Sequence, residues 1–438
     1  MSKKTTNEEI RSWKIKKISP FLDFMFRIRN FFRYDLPFGV KYTRKTDMKK
    51  YKNEPIVVLS NHSARYDYTF VKGAIGKRRF NFVTAEEEFH RTSLKNIFKL
   101  GHCIPKKGFV PDSNCIRQIF GLFKNVKNPC LAICPCGLPS ISGAQRPVVP
   151  GIGRLLKRLG ARVLVVRIHG SYLTSPRYDI AERPGCVEAV LEELFSLEDL
   201  AKFSPEELDD KINEALFTDD YEWNLTKQYS YKCKSGNYAQ NMEQILYKCP
   251  KCHEKFTMEG RGNVIKCTHC GNGATLDDKY NLVPIGDSVI PVTPREWYDW
   301  ERREMRRLVT DPDFFLEEHA ILGKQPDYGY VKENNLTAYP IGEGVIRLDK
   351  EGFGFKGTRD GKPWEVFIPR QALYTTIMND DCSYFCTNAS GEFLQFIPDS
   401  LSSVHWSLAV EEISRVYDGI YKNFPWFDYD KECQMLSK

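Results

Sequence analysis

Four cysteines constrain this chain more tightly than any other feature. Cys249-Pro250-Lys251-Cys252 and Cys267-Thr268-His269-Cys270 set a C-x2-C-x14-C-x2-C spacing. Thiolates so arranged match a tetrahedral structural zinc site. Pro250 and Gly271 suit tight knuckle turns, and Val264-Ile265 suits a ribbon strand. Residues 245–285 are therefore expected to form a zinc ribbon whose ion leaves no coordination position open for catalysis. Beyond Lys248, Lys251, Lys255 and Lys266, few basic or aromatic residues cluster there. Scaffolding or contact with a protein partner is the expected role, and nucleic acid is not an expected ligand.

The chain has 438 residues, enough for two or three domains with a real core. The apolar stretch Phe21–Phe32 is broken by Asp23, Arg27, Arg29 and Asn30. No run reaches the roughly 20 apolar residues of a bilayer span, and no uninterrupted signal core follows the basic start. The expectation is a cytoplasmic protein, peripherally associated with the inner face of the membrane. The 14 cysteines fit a reducing compartment.

Charge is local. Residues 1–50 hold fourteen Lys/Arg against five Asp/Glu, an excess larger than the +7 of the whole chain. Ser19 and Pro20 read as an N-cap and first helical position. Phe21, Phe24, Met25, Ile28, Phe31 and Phe32 then follow helical spacing. Large aromatics on one face and cations elsewhere describe a helix lying in an anionic headgroup layer. The competing reading is a helix packed on the protein's own core.

The run Ile56-Val57-Val58-Leu59-Ser60 reads as a buried strand, followed by Asn61-His62-Ser63-Ala64-Arg65-Tyr66-Asp67. A His and an Asp with four residues between them, past a strand end, can fold back on one another. The carboxylate would then fix the imidazole tautomer, and His62 would act as a general base. No G-x-S-x-G nucleophile motif accompanies the pair. Direct deprotonation of a substrate hydroxyl is its simplest use.

Asn61-His62-x4-Asp67 resembles the first block of the glycerolipid acyltransferase family, which includes 1-acylglycerol-3-phosphate acyltransferases. Further blocks follow in order. Gly101-His102-Cys103-Ile104-Pro105-Lys106-Lys107 resembles the second, with Lys107 in place of the usual Arg. Ile133-Cys134-Pro135-Cys136-Gly137-Leu138-Pro139-Ser140 resembles the third, Val163–Gly170 the fourth, and Asp199–Leu216 the tail. The match covers about residues 50 to 220. It implies an α/β fold with a mixed sheet flanked by helices.

By this resemblance His62 takes the proton of an acceptor hydroxyl, which attacks the thioester of acyl-CoA or acyl-carrier protein, while Asp67 holds His62. The substrate-binding positions it implies are Asn61, Gly101, Lys106, Lys107, Cys136, Gly137, Ser140 and Arg146. The third block lacks its usual Glu and Arg, replaced by Cys136 and Pro139, so neither supplies a charge-assisted bond to a phosphate. Lys106 and Lys107 remain as point charges, with Arg146 and Arg154 nearby. Three alternatives stay open: lysophosphatidate held by other cations, a different hydroxyl or amine lipid, or a lipid-binding domain with reduced catalysis.

In the second half, Thr293-Pro294-Arg295-Glu296 predicts a capped helix to about Leu308. From Ala338, short alternating runs with turns at Asp360-Gly361 and Ser390-Gly391 predict an antiparallel β domain. A helix carrying Trp406, Ile413 and Tyr417 closes it. This resembles a pleckstrin-homology or GRAM-like architecture, an analogy of fold that gives no ligand. The expected organisation is a basic membrane-associating segment at 1–50, an acyltransferase domain at 51–232, the ribbon at 245–285, a helical linker at 290–325 and the β domain at 336–425.

Overall fold

The computed structural model describes residues 4–332, 337–420 and 427–437. The expected β-domain limits, 336 and 425, lie outside the described residues. The first half is built on a seven-stranded mixed sheet. Its strands are β1 (Lys41–Arg44), β2 (Ile56–Ser60), β3 (Asn81–Ala85), β4 (Ile104–Lys106), β5 (Cys130–Ile133), β6 (Arg162–His169) and β7 (Glu188–Phe195), in the order β1-β7-β6-β2-β5-β3-β4. β2 lies parallel between β5 and β6, and β7 runs antiparallel to β6.

Every residue of β2 is buried, as a central strand covered on both faces must be. Ile56 and Val58 join one core with Phe70, Val71 and Ala74 of the helix Asp67–Ile75. Val57 and Leu59 join the other, with Ile119, Leu156, Leu208 and Ile212 from helices on the far face.

Three short helices matter below: α1 (Thr6–Arg11), α2 (Pro20–Asn30) and α3 (Asp67–Ile75). Ser19 caps α2 by accepting from Leu22 N, and Pro20 is its first residue. The burial of α2 is inverted relative to a core helix. Its buried residues are Asp23 and Asn30, while Phe21, Phe24, Met25 and Ile28 face outward. Asp23 explains this, because its Oδ1 accepts from the buried Lys72 Nζ at 2.5 Å. A buried ion pair anchors α2, and the aromatics are left over.

The ribbon is a four-stranded antiparallel sheet of β8 (Met258–Arg261), β9 (Val264–Cys267), β10 (Gly273–Leu276) and β11 (Leu282–Pro284). A short strand β12 (Ile290–Pro291) precedes the linker helix Pro294–Val309. The region expected as a helical linker to 325 is helical only to Val309. Phe315–Lys324 is a long strand, β13, of the C-terminal sheet. Its alternation was hidden by Glu317, Glu318 and His319, and Glu318 turns inward to accept from Trp406 Nε1 at 2.9 Å.

That sheet continues with β14 (Tyr339–Asp349), β15 (Gly352–Arg359), β16 (Lys362–Pro369), β17 (Ile377–Met378), β18 (Phe385–Ala389) and β19 (Glu392–Pro398). All its neighbours pair antiparallel. Asp360-Gly361 and Ser390-Gly391 form the expected hairpin turns, with positive φ at all four residues. The terminal helix Ser403–Asp418 closes the sheet, Trp406 packing on Phe353 and Phe385.

The linker helix is no surface element: Trp297, Trp300 and Met305 are buried, and Arg302 forks onto Glu411 and Glu412 of the terminal helix at 2.7 and 2.8 Å. One continuous core runs from Tyr172 through the ribbon and linker into the second sheet.

Candidate functional site

The chain leaves the C-terminal end of β2 at Ser60, turns through 61–66 and enters α3 at Asp67. The turn brings His62 back onto Asp67, with Nδ1 to Oδ2 at 2.9 Å. The same oxygen accepts from the backbone amides of Ser63 at 2.6 Å and Ala64 at 2.9 Å. Oδ1 accepts from the hydroxyl of Ser171. A carboxylate receiving four donors while 1% exposed is held in one orientation. It accepts from Nδ1, so the imidazole proton lies there and Nε2 is the basic nitrogen. The His62 side chain keeps 21% of its surface, and no group among the described residues bonds Nε2.

The backbone of His62 is clamped from both sides. Its N–H donates to Gln145 Oε1 at 3.0 Å, and its carbonyl accepts from Ser140 N at 2.8 Å. Ser140 is itself fixed, its hydroxyl donating to Ala144 O at 2.6 Å and accepting from Gly143 N. The 134–145 loop thus holds the histidine rather than merely neighbouring it.

The other substrate-binding positions are distributed unevenly. Asn61 is fully buried; its amide donates to Ile168 O at 2.7 Å and Thr218 Oγ1 at 3.0 Å, and its carbonyl accepts from Ile168 N. Those bonds tie β2 to β6 and leave Asn61 none to offer. Gly101 ends the helix Lys95–Leu100, donating to Ile97 O. Cys136 is buried and donates to Leu138 O at 3.3 Å. Burial pushes the thiols of both Cys134 and Cys136 up. Gly137, at φ 77°, lies where a Cβ would meet the Phe109 ring.

Lys106 turns its ammonium onto the carbonyls of Lys107 and Val110, and burial lowers its pKa. Arg146 is drawn away to Glu411 at 2.5 Å and Thr375 at 2.9 Å, both in the C-terminal half. The Lys107 side chain forms no ion pair among the described residues.

Three supporting residues had no sequence signal strong enough to single them out. Gln145 and Ser171 touch the dyad directly. Asp220 accepts from Gly170 N at 2.9 Å and Tyr172 N at 2.8 Å, on either side of Ser171, and burial pushes its carboxyl up to about 8. The one clue was Gly170-Ser171, immediately after the fourth-block strand.

The C-terminal sheet covers the same edge of the first sheet. Leu138 packs with Ile377, Tyr384, Cys386 and Phe393. Asn388 donates to Gly108 O at 2.9 Å, and the buried Arg177 donates to the carbonyls of Met378 and Asn379. The loops after β4, β5 and β6 are thereby roofed.

At the ribbon, Cys249, Cys252, Cys267 and Cys270 bring their sulfurs within 4.8 Å of one another. Cys249–Cys270 is 3.6 Å and Cys252–Cys267 is 3.8 Å. Zinc bonded to four sulfurs at about 2.3 Å requires an S···S edge of about 3.8 Å, so the cluster fits the ion. Thr257 Oγ1 lies 3.2 Å from Cys267 Sγ, and Asn272 Nδ2 donates to Cys249 Sγ at 3.8 Å, supplying outer support.

No helix of the described residues is long and apolar enough to cross a membrane. No family model and no curated protein matches the chain. Among solved structures, the crystal structure of the 1-acyl-sn-glycerophosphate (LPA) acyltransferase PlsC from Thermotoga maritima is similar at 18% identity, over 45% of this chain and 77% of that one, with a TM-score of 0.37.

Proposed function

We propose that the chain is an O-acyltransferase that moves a fatty acyl group from acyl-CoA or acyl-carrier protein to the hydroxyl of a lysophospholipid, with 1-acylglycerol-3-phosphate the first acceptor to try. The single observation that carries this reading is the 2.9 Å His62–Asp67 pair, with Asp67 saturated by donors and Nε2 left open. In this reading Nε2 removes the acceptor's hydroxyl proton as its oxygen attacks the thioester carbonyl. The tetrahedral intermediate then expels the thiolate, which recovers the proton from the imidazolium. Asp67 stabilises that imidazolium without taking its proton. Lys107 is the cation best placed to meet a phosphate, because Lys106 and Arg146 are engaged elsewhere.

The outward aromatics of α2 support work at a lipid surface of anionic character, and the four-thiolate zinc is structural. The test is the full chain with acyl-CoA and a panel of lysolipids, reading thiol release and lipid product together, beside His62→Ala. Thiol release that persists unchanged in the variant refutes the mechanism.

The roof of Leu138, Ile377 and Phe393 favours a second reading. In it the domain binds lipid, and the ribbon or β domain recruits a protein partner without acyl transfer. That reading predicts lipid binding with no thiol release from any acceptor.

A further inference from the structure

Arg146 follows the 134–145 loop, and its side chain leaves that loop for the terminal helix. Its Nη2 donates to Glu411 Oε1 at 2.5 Å and to Thr375 Oγ1 at 2.9 Å. The Thr375 hydroxyl donates in turn to the same Glu411 oxygen at 2.8 Å. Glu411 Oε2 accepts from Arg302 Nη2 of the linker helix at 2.7 Å. One carboxylate, 5% exposed, thus takes donors from three separate elements. Burial works against its charge, and the guanidiniums of Arg146, Arg302 and Arg415 outweigh burial and hold it well below the usual carboxylate range.

The backbone of Arg146 serves the dyad. Its carbonyl accepts from Gln145 Nε2 at 2.9 Å, and Gln145 Oε1 accepts from His62 N at 3.0 Å. A carboxamide has one donor end and one acceptor end. Holding Nε2 on the Arg146 carbonyl therefore aims Oε1 at the His62 amide. Gln145 is buried, and its own N–H is tied to Thr218 O at 2.8 Å. Glu411 reaches His62 through Arg146 and Gln145 by an unbroken run of hydrogen bonds.

We infer that Glu411 is a positioning residue for the dyad: it pins Arg146, whose carbonyl orients the Gln145 carboxamide that holds the His62 backbone beside Asp67. The terminal helix is then a working part of a site built in the first half of the chain. Glu412, the next residue, supplies the contrast. It is fully buried and takes Arg302 Nη1 at 2.8 Å, Arg415 Nη1 at 2.5 Å and the Tyr429 hydroxyl at 2.7 Å. Those donors belong to the linker helix and the C-terminal half, and none to the loop that clamps His62. If the two carboxylates only joined the halves of the chain, losing either would have the same consequences.

The experiment uses the full chain with isotopically labelled histidine rings. Nitrogen chemical shifts report which ring nitrogen carries the proton, and His62→Ala identifies the His62 signals. The wild type is expected to show the Nδ1–H form. Glu411→Gln is expected to move His62 toward a mixture of the two tautomers and to lower kcat for thiol release about tenfold, with KM for acyl-CoA held. Arg146→Met is expected to do the same, and the double variant no more than either alone. Glu412→Gln is expected to lower Tm and to leave the His62 signals and kcat at their wild-type values. Unchanged His62 signals in Glu411→Gln, an equal change in Glu412→Gln, or additive losses in the double variant overturn the inference. Should Glu411→Gln fail to fold, Thr375→Val, which removes one arm of the same junction, must move the His62 signals in the same direction to a smaller extent. The rate readout rests on the acyl-transfer reading and the nitrogen signals do not, so the positioning and the transferase reading fail separately.

Discussion

The hydroxyl of Ser171 donates to Oδ1 of Asp67, on the oxygen opposite the one that holds His62. The two halves of the carboxylate therefore answer to different elements: Oδ2 to the β2–α3 turn, Oδ1 to the segment after β6. Asp220 fixes that segment by taking the amides on either side of Ser171. Removing the hydroxyl with Ser171→Ala leaves the charge in place and frees the carboxylate to rotate. A fall of about tenfold or more in kcat with KM held is expected, restored in large part by Ser171→Thr. A residue that only packed would lower Tm and leave kcat alone.

Asp67→Asn is expected to act twice. The new amide sets a donor against the amides of Ser63 or Ala64, or else against Ser171. It also reverses the polarity toward Nδ1, favouring the wrong tautomer. Loss of kcat of about 10⁴-fold is expected, as where a histidine loses its orienting carboxylate elsewhere, together with a lower Tm. Activity above a tenth of wild type would refute the assignment of Asp67.

The zinc prediction follows from the shared core. Lys248 N donates to the buried Glu301 at 2.7 Å, and Trp297 Nε1 donates to Lys248 O at 2.9 Å, binding the first knuckle to the linker helix. One zinc per chain is expected by elemental analysis. Chelation or Cys267→Ser should unfold more than the ribbon, lowering near-ultraviolet circular dichroism from the tryptophans of the linker and terminal helices. A metal-free chain with unchanged Tm would contradict this.

Some of this architecture was legible in the chain, for identifiable reasons. The β2 run was readable because Ile56–Leu59, buried on both faces of a central strand, is unbroken by any polar residue. The hairpins at Asp360-Gly361 and Ser390-Gly391 were readable because φ is positive at all four turn residues. The cysteine spacing reports local geometry. What stayed hidden depends on partners far away in sequence. Ser171 meets Asp67 across 104 residues, and Arg146 leaves the site for Glu411 across 265. β13 was hidden because Glu318 on it finds its donor in Trp406 of the terminal helix, 88 residues on. The inversion of α2 was half legible: its amphipathic pattern was clear, and the buried Asp23–Lys72 pair that decides which face points outward was not.

Buried histidines remove stability on the acid side of neutrality. Burial pushes His90 and His169 down to about 4 and His405 to about 3. Below an unfolded value near 6.5 the unfolded chain binds the extra protons, so stability is complete above that value and is lost as pH falls toward 4. His405 packs edge-on against Tyr247 and Phe256, at 4.9 and 5.4 Å between ring centroids, so Phe can replace it. Between pH 7 and pH 5, denaturant unfolding should show the stability of His405→Phe falling less, or rising more, than that of the wild type. The buried carboxyls work the other way. Glu87 and Asp220, both pushed up to about 8, remove stability as pH rises from about 4 toward 8. An equal change in stability between pH 7 and 5 in both proteins would refute the histidine account.

The outward face of α2 allows a test that separates folding from membrane attachment. Phe21, Phe24 and Phe32 are 69%, 50% and 65% exposed, so replacing all three by Ser costs the fold little. Each aromatic would contribute to insertion, and Arg27, Arg29 and Arg33 would add attraction to an anionic surface. Arg33 is partly offset by Glu182, which it meets at 2.6 Å. Cosedimentation with vesicles containing phosphatidylserine is expected for the wild type, weakened by salt, and lost in the triple variant at unchanged Tm. The fold depends on Lys72 instead: Lys72→Met leaves Asp23 only Arg27, at 3.4 Å, and should loosen α2 and lower Tm. Vesicle binding that survives the triple substitution would remove α2 as the attachment site.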